Sequence, residues 1–166
     1  MTIPIITVIA KSGSGKTTFL EKLIGTLTGR GYRLATVKHH SHSGFEVDQP
    51  GKDSWRHAQA GSRHVIIAAP DKIASYRLLD HELTLDEVVR EVTGVDLILV
   101  EGYKQANKPT IEIVRSEVGI DLIGDPSQTL AIVTDTPFQV PIPQFDLDDT
   151  PGVADLIELW LVEQAK

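Results

Sequence analysis

The sequence predicts a three-layer α/β fold, in which a mainly parallel β-sheet lies between helices and one antiparallel β-hairpin is added. Apolar and β-branched runs alternate along the chain with segments of helical periodicity, as is typical of parallel sheets covered on both faces. Two neighbouring apolar runs around Pro70-Asp71-Lys72 break this alternation and predict the hairpin. The 166 residues suffice for a sizeable core, so we expect residues 1–166 to form a single domain.

The first predicted elements are an apolar strand, a glycine-bearing loop and a helix. The strand begins at Ile5, and the helix over residues 16–28 carries an apolar stripe at helical spacing. That stripe consists of Phe19, Leu20, Leu23, Ile24 and Leu27. Gly29 and Gly31 predict the end of the helix, with a left-handed cap at one of them.

A short strand and a short helix follow. Residues 34–38 have the composition of a strand, and the polar, turn-rich segment after it continues to Gly51. Asp53 or Ser54 is the expected N-cap of a helix that ends near residue 60, because both side chains accept hydrogen bonds from free backbone amides.

The hairpin and a capped helix occupy the next part of the chain. The two hairpin strands are predicted over residues 64–69 and 73–79. Thr84 and Glu87 form a capping box, which predicts a helix from there to about residue 92.

Three strands and a final helix complete the predicted fold. Residues 95–100 are almost entirely apolar, as expected where both faces of a sheet are covered, and residues 110–114 and 130–134 predict two more strands. Thr150 followed by Pro151 predicts a helix with proline at its first position. Its buried face consists of Val153, Leu156, Ile157, Trp160 and Leu161.

The composition is that of an ordinary globular chain, with 41% hydrophobic and 23% charged residues. The 16 basic and 23 acidic residues give a net charge of −7, which argues against a nucleic-acid partner bound through a broad positive surface. The lack of cysteine excludes disulfides and thiolate metal sites. No signal peptide and no apolar run of ~18 residues is found, so we expect a cytoplasmic protein without a membrane partner.

A phosphate-binding motif follows the first strand. Residues 10–17 read AKSGSGKT and match the P-loop pattern GxxxxGK[ST], except for Ala10 at the first glycine position. In such a loop the backbone amides and the start of the next helix face phosphate oxygens. We therefore expect a P-loop NTPase fold, with Lys16 at the β- and γ-phosphates and the Thr17 hydroxyl on Mg²⁺. The other positions expected to bind the nucleotide are Ser12, Gly13, Ser14, Gly15 and Thr18.

Carboxylates for the Mg²⁺ shell are expected from other strand ends and loops. Glu101 follows the apolar strand, and parallel strands bring such ends to the edge that holds the P-loop. Gly102 would let the backbone approach the γ-phosphate closely. Asp48 is either a second Mg²⁺-shell carboxylate, a group that orients the attacking water, or a solvated loop residue. Asp96, at the start of its strand, is expected at the far edge.

Two residues are ambiguous between nucleotide contacts and ordinary surface roles. Lys11 holds the loop position from which some dimeric P-loop proteins reach the phosphates of the other subunit, or it faces solvent. We expect three residues to act in catalysis, namely Lys11, Lys16 and Asp48. Asp135 follows the strand over residues 130–134 and either accepts both donors of the guanine edge or caps a turn.

The histidine-rich loop after the second strand has two interpretations. His39, His40 and His42 form either a transition-metal site or hydrogen-bonding loop residues. Lys52 is either a phosphate contact or a surface lysine.

The ordered set of motifs is similar to the molybdopterin-guanine dinucleotide biosynthesis protein B (MobB) family. The resemblance covers most of the chain, and Ala10 itself agrees with the family; it rests on residues 10–17, 37–40, 48–54, 60–61 and 96–104. It implies GTP binding with Mg²⁺, weak GTP hydrolysis and a homodimer. It also implies an accessory role beside the guanylyltransferase that attaches GMP to molybdopterin. Slow hydrolysis agrees with the sequence, in which no Arg or Gln is assigned to the transition state.

Three other functions stay open on the sequence. A small P-loop kinase would use the same phosphate loop but would normally add an arginine-bearing lid. A metal-delivery GTPase is supported by the histidine cluster alone. A nucleotide-binding module that never hydrolyses its ligand would need the P-loop only.

Overall fold

The structure is a computed structural model that describes residues 2–40, 44–103 and 105–164. The chain divides into two compact units. The first contains the described residues up to His39 and from Leu85 onward, and the second contains those from His40 to Thr84. The single domain expected over residues 1–166 stays a prediction.

The first unit is built around a six-stranded sheet in which every observed strand pair is parallel. Its elements, in chain order, are β1 (Ile5–Ala10), α1 (Lys16–Gly29), β2 (Leu34–Lys38), α3 (Leu85–Val89), β5 (Leu97–Glu101), β6 (Thr110–Val114), β7 (Thr129–Thr134), β8 (Gln144–Phe145) and α4 (Thr150–Gln164). The sheet order is β2-β5-β1-β6-β7-β8. Because the strands run in the same direction, their carboxyl ends meet at one edge of the sheet.

Helices cover the two sides of this sheet. Helices α1 and α4 bury one face together with Ile6 and Val8 of β1, while α3 packs on the other face against Ile98 and Val100 of β5. The apolar face predicted for α4 is confirmed. Its fully buried members are Val153, Ala154 and Ile157, and its partly buried members are Leu156, Trp160 and Leu161. The mainly parallel, three-layer fold expected from the sequence is therefore confirmed.

The second unit contains α2 (Asp53–Gln59) and the antiparallel pair of β3 (His64–Ala68) and β4 (Ile73–Arg77). Val65 lies opposite Tyr76, and Val65 is the buried residue of β3. Ile66 and Ile73 are 55% and 71% exposed. The predicted hairpin is thus confirmed, and it carries apolar side chains on its surface.

Two local expectations are corrected, and one strand is added to the predicted elements. The N-cap of α2 is Lys52, without a side-chain cap, because Asp53 and Ser54 already lie inside the helix. Helix α3 ends at Val89 instead of residue 92, and a β-turn follows in which the Val92 amide donates to the Val89 carbonyl at 3.0 Å. Strand β8, only two residues long, was not predicted.

The end of α1 follows the sequence, and the start of α4 differs from it by one residue. Helix α1 ends at Gly29, and the left-handed residue after it is Gly31, with φ of 93°. Helix α4 begins at Thr150, which places Pro151 in its first turn but not at its first position. Among the described residues, no helix is long and apolar enough to cross a bilayer.

Candidate nucleotide site

The loop between β1 and α1 has the backbone of a phosphate cradle. Gly13 and Gly15 have φ of 85° and 82°, a left-handed conformation that glycine adopts without steric cost. The Ser14 amide donates to the Lys11 carbonyl at 3.3 Å, which closes the loop into a tight turn. Within the described chain, the start of α1 has neither a side-chain cap nor an acidic residue in its first turn. Its amides and positive dipole end therefore suit an anion.

Glu101 lies between two lysines at the carboxyl edge of the sheet. The Lys16 Nζ is 3.5 Å from Glu101 Oε1, and the Lys38 Nζ is 3.6 Å from Glu101 Oε2. The Lys16 and Glu101 side chains are only 24% and 18% exposed, so this pair is less screened by water than a surface ion pair. Two ammonium groups around one carboxylate leave a net positive charge, which favours phosphate.

Parallel register explains how this cluster assembles. Glu101 ends β5 opposite Lys38 of β2 on one side and Val8 of β1 on the other. The P-loop follows β1 directly, so Lys16 approaches the same carboxylate from the start of α1. The structure thus brings together Lys16 and Glu101 as the sequence predicted, and it adds Lys38.

The oxygen ligands available next to the P-loop suit Mg²⁺. Thr17 is the second residue of α1 and is exposed, and its hydroxyl would pair with the Glu101 carboxylate in the ion's coordination shell. In residues 2–40, 44–103 and 105–164, no group of three or more His, Asp or Glu side chains is arranged to hold a metal. A site with few protein ligands still fits Mg²⁺, which takes most of its ligands from phosphates and water.

Position 102 favours glycine because of its backbone conformation and the close approach of a neighbouring residue. Its φ is 96°, and a Cβ built on it would lie 2.9 Å from the His39 Cβ. His39 donates its backbone N–H to the Glu101 carbonyl at 2.8 Å and places its ring 4.4 Å from that of Tyr103. The close approach on this side is made by His39, and the expected approach of Gly102 to a γ-phosphate stays a prediction.

Lys11 pairs within its own chain. Its Nζ is 2.7 Å from Asp121 Oδ2, and the hydrogen bond from Lys11 holds the pKa of that carboxyl below its ordinary value. A Cβ on Gly119 would lie 3.0 Å from the same Nζ. Contact of Lys11 with phosphates in a second subunit stays a prediction, and it would require this ion pair to open.

Asp135 lies just after β7, at the carboxyl edge of the sheet. Its Oδ1 accepts the Ser116 backbone N–H at 2.8 Å, and its Oδ2 accepts the Ser116 hydroxyl at 3.0 Å. The backbone hydrogen bond is the main reason why the pKa of Asp135 is lowered. The carboxylate is therefore ionised and fixed in orientation, and its remaining lone pairs can accept further donors.

Asp48 belongs to the second unit and is held there by three groups. The Ser54 side chain is the main cause that lowers the pKa of Asp48, and the Gln49 amide and the Tyr76 hydroxyl also donate to it, at 2.8 and 2.9 Å. These bonds keep Asp48 ionised. Its roles in the Mg²⁺ shell or toward the attacking water stay predictions.

The histidine loop is described only in part. His40 packs its ring 5.5 Å from that of Phe45, while His42 lies outside the described residues, as does Lys104 of the motif over residues 96–104. Lys52 is the N-cap of α2, and a phosphate contact by this residue stays a prediction.

Two basic residues of the site escaped sequence reasoning. Lys38 ends β2, and Arg115 follows β6 next to the P-loop, with its guanidinium beside Gly15. Both positions directly follow or end a parallel strand, which is the signal that identified Glu101. The sequence alone does not single out either residue, because a single basic residue at a strand end is ordinarily a surface residue.

Comparison with known proteins gives consistent results. The sequence pattern of the family "Molybdopterin guanine dinucleotide synthesis protein B" (MobB) matches residues 5–135. The molybdopterin-guanine dinucleotide biosynthesis adapter protein of Haemophilus influenzae is 40% identical over 96% of this chain and 90% of its own length. The protein of the same name from Escherichia coli is 34% identical over 98% of this chain and 95% of its own.

Solved structures resemble the fold over almost its whole length. The crystal structure of Bacillus subtilis MobB superposes with a TM-score of 0.73 at 28% identity, covering 95% of this chain and 97% of that one.

Proposed function

The chain belongs to the MobB family, and on that premise we propose that it is a GTP-binding adapter of molybdopterin-guanine dinucleotide biosynthesis. In this role it would bind GTP with Mg²⁺, hydrolyse it weakly and assist the guanylyltransferase that joins GMP to molybdopterin. The observation that carries the nucleotide part is the Lys16–Glu101 pair, at 3.5 Å, beside the uncapped start of α1.

Each residue of the cluster has a chemical task in this proposal. Lys16 leaves Glu101 and neutralises charge on the β- and γ-phosphates, and the amides of Gly13 and Gly15 bind the phosphate oxygens. Thr17 and Glu101 supply oxygen ligands to Mg²⁺, whose chemistry is to neutralise the phosphates. Lys38 remains next to Glu101 and holds that carboxylate in place.

The groups around Lys16 support the proposal that hydrolysis is weak. Fast P-loop GTPases add a group that orients water and an arginine that stabilises the transition state. In the described residues of the first unit, the groups paired near Lys16 are a carboxylate and a second lysine. In this proposal these groups bind the nucleotide and its metal but do not orient an attacking water. Slow hydrolysis would let an adapter retain its nucleotide.

Guanine selectivity is assigned to Asp135. Its carboxylate is ionised and fixed by Ser116 on the carboxyl edge of the sheet, and guanine offers two adjacent donors to such a group. Adenine lacks that pair of donors, so the same carboxylate would not favour ATP.

Competitive binding of GTP and ATP with Mg²⁺ tests this assignment. Native protein is expected to prefer GTP, and Asp135→Ala to lose the preference, because a hydrogen bond to a charged acceptor contributes roughly 1.5–3 kcal/mol. Asp125→Ala is the matched control, since Asp125 is another exposed carboxylate, and it accepts hydrogen bonds from Ser127 of its own loop. Equal affinity of the native protein for both nucleotides would refute the guanine assignment.

A homodimer is the second part of the proposal. The hairpin exposes apolar side chains along both strands, and exposed strand edges pair readily with another chain. The exposed isoleucines of the two strands are Ile66, Ile67 and Ile73, and the exposed Leu78 and Leu79 follow β4 directly. A two-fold dimer is the commonest way in which such a surface is covered.

A further inference from the structure

Arg115 and Glu101 flank the P-loop on opposite sides. In the sheet order β5-β1-β6, the strand before the P-loop lies in the middle, with Glu101 at the end of β5 and Arg115 just after β6. The parallel pairing of β1 with both neighbours puts the three ends at the same edge. A ligand that lies across the loop therefore meets Glu101 at one end and Arg115 at the other.

The guanidinium of Arg115 lies directly against the P-loop backbone. Its Nη2 is 3.3 Å, and its Nε 3.9 Å, from the place where a Cβ on Gly15 would be. Arg115 also lines a small hollow with Ser14, Gly15 and Thr18, at the first turn of α1. It thus faces the backbone segment that the P-loop mechanism assigns to the α- and β-phosphates.

This guanidinium has no fixed partner in the part of the chain that the structure describes. Two carboxylates are near enough to interact with it electrostatically, Asp135 and Asp148. Asp135 is hydrogen-bonded to Ser116, and Asp148 accepts a hydrogen bond from Lys22 at 2.6 Å. A half-buried guanidinium with five donors and no hydrogen bond is suited to an anion with several acceptor oxygens.

We propose that Arg115 binds the α-phosphate of the nucleotide, from the β6 side of the P-loop. The inference rests on the proposed function, because Lys16 and Glu101 mark the β- and γ-phosphates and the metal. The chain of phosphates then runs from Glu101 toward Arg115, and the nucleoside follows on the Arg115 side. Asp135, which we assign to the base, lies on the next strand outward, at the end of β7.

An arginine at the α-phosphate distinguishes nucleotides from nucleosides. It strengthens binding of any nucleotide that carries an α-phosphate, and it contributes equally to GTP and GDP. It does not touch the γ-phosphate, so it does not act as the arginine that accelerates hydrolysis. Arg115 is accordingly a binding residue that helps the protein retain nucleotide before and after hydrolysis.

The test compares GTP, GDP and guanosine binding to native protein, Arg115→Ala and Arg115→Lys by calorimetry with Mg²⁺. Arg115→Ala is expected to weaken the binding of GTP and of GDP by the same factor, about 10- to 100-fold, and to leave the affinity for guanosine unchanged. The affinity of Arg115→Lys for GTP and GDP is expected to lie between those of native protein and Arg115→Ala, because lysine keeps the charge but lacks the paired donors of a guanidinium. Arg33→Ala is the matched control, because Arg33 pairs with Asp96 at the opposite end of the sheet.

Phosphorus NMR of bound GDP separates a direct contact from a structural effect. With Arg115→Lys, the α-phosphate resonance is expected to move while the β-phosphate resonance stays in place. Unchanged affinity in Arg115→Ala, a loss confined to GTP, or an unmoved α resonance would each overturn the inference while native binding stands. If the native protein bound neither GTP nor GDP, the proposed function itself would fail.

Discussion

Glu101 determines the charge balance at the phosphate end of the site. Its two carboxylate oxygens face Lys16 and Lys38 at 3.5 and 3.6 Å. On the proposed function, Lys16 leaves this carboxylate for the phosphates when nucleotide binds, while Lys38 stays beside it. In this account Glu101 pairs with lysine when no nucleotide is bound and with Mg²⁺ when nucleotide is bound. Its removal should therefore change the Mg²⁺ dependence of GTP binding more than the affinity for phosphate itself.

The variant Glu101→Gln tests this role. We expect GTP affinity in the presence of Mg²⁺ to fall about tenfold, roughly 1.4 kcal/mol, because the metal loses a charged ligand. In EDTA we expect affinity to be equal to or higher than that of native protein, because the two lysines are freed. Calorimetry with and without Mg²⁺ measures both, and the exposed Glu117→Gln serves as the control. The same Mg²⁺ dependence in variant and native protein would contradict the assignment.

Gly102 links the end of β5, which carries Glu101, to the segment after β2. A Cβ at this position would approach the His39 Cβ to 2.9 Å, and the φ of 96° is unfavourable for any other residue. We expect Gly102→Ala to lower the free energy of unfolding by about 1–3 kcal/mol, measured by urea denaturation.

A second glycine provides the control for that measurement. Gly25 lies inside α1. Apart from its chain neighbours and the backbone of its own helix, no atom of the described residues lies within 4 Å of the position its Cβ would take. Gly25→Ala should raise stability by about 0.5–1 kcal/mol, because alanine restricts the unfolded chain. Equal effects of the two substitutions would show that the contact with His39 carries no strain.

At the scale of elements, the long apolar patterns could be predicted and the short ones could not. Strands β2 and β6 have their predicted bounds. Helix α1 differs by one residue, because the side chains that it buries recur at helical spacing and the local sequence carries that pattern. The N-cap of α2 was mispredicted because Asp53 and Ser54 both favour a cap, and local preference does not choose between neighbouring positions. Gln144 and Phe145 form a strand only through pairing with β7, which no local pattern records.

Among the described residues, the strands of the hairpin carry three exposed isoleucines, Ile66, Ile67 and Ile73. We expect Ile73→Lys to shift the protein from dimer to monomer at micromolar concentration, measured by size-exclusion chromatography with light scattering. Burial of an isoleucine contributes about 1.5–3 kcal/mol, and a two-fold interface would lose it twice. Leu159→Lys is the control, since Leu159 is 67% exposed on α4 and is not part of the hairpin. A native protein that is monomeric at that concentration would refute the dimer.

At the scale of the whole molecule, the site is a property of the parallel sheet. Lys16 and Glu101 could be predicted together because the P-loop and a strand-end carboxylate share one edge. Arg115 and Lys38 could not, because their importance depends on which strands are neighbours. The order β5-β1-β6 is set by packing across the chain, and a single sequence does not reveal it.

The central claim is that the cluster around Lys16 binds a guanine nucleotide with its metal, and binding of GTP to Lys16→Ala tests it most directly. Native protein is expected to bind GTP with Mg²⁺, and Lys16→Ala to bind roughly 10- to 100-fold more weakly, since a hydrogen bond to a charged group contributes ~1.5–3 kcal/mol. Lys72→Ala, in the turn between β3 and β4, should bind like native protein. Equal GTP affinity of native protein and Lys16→Ala would contradict the account.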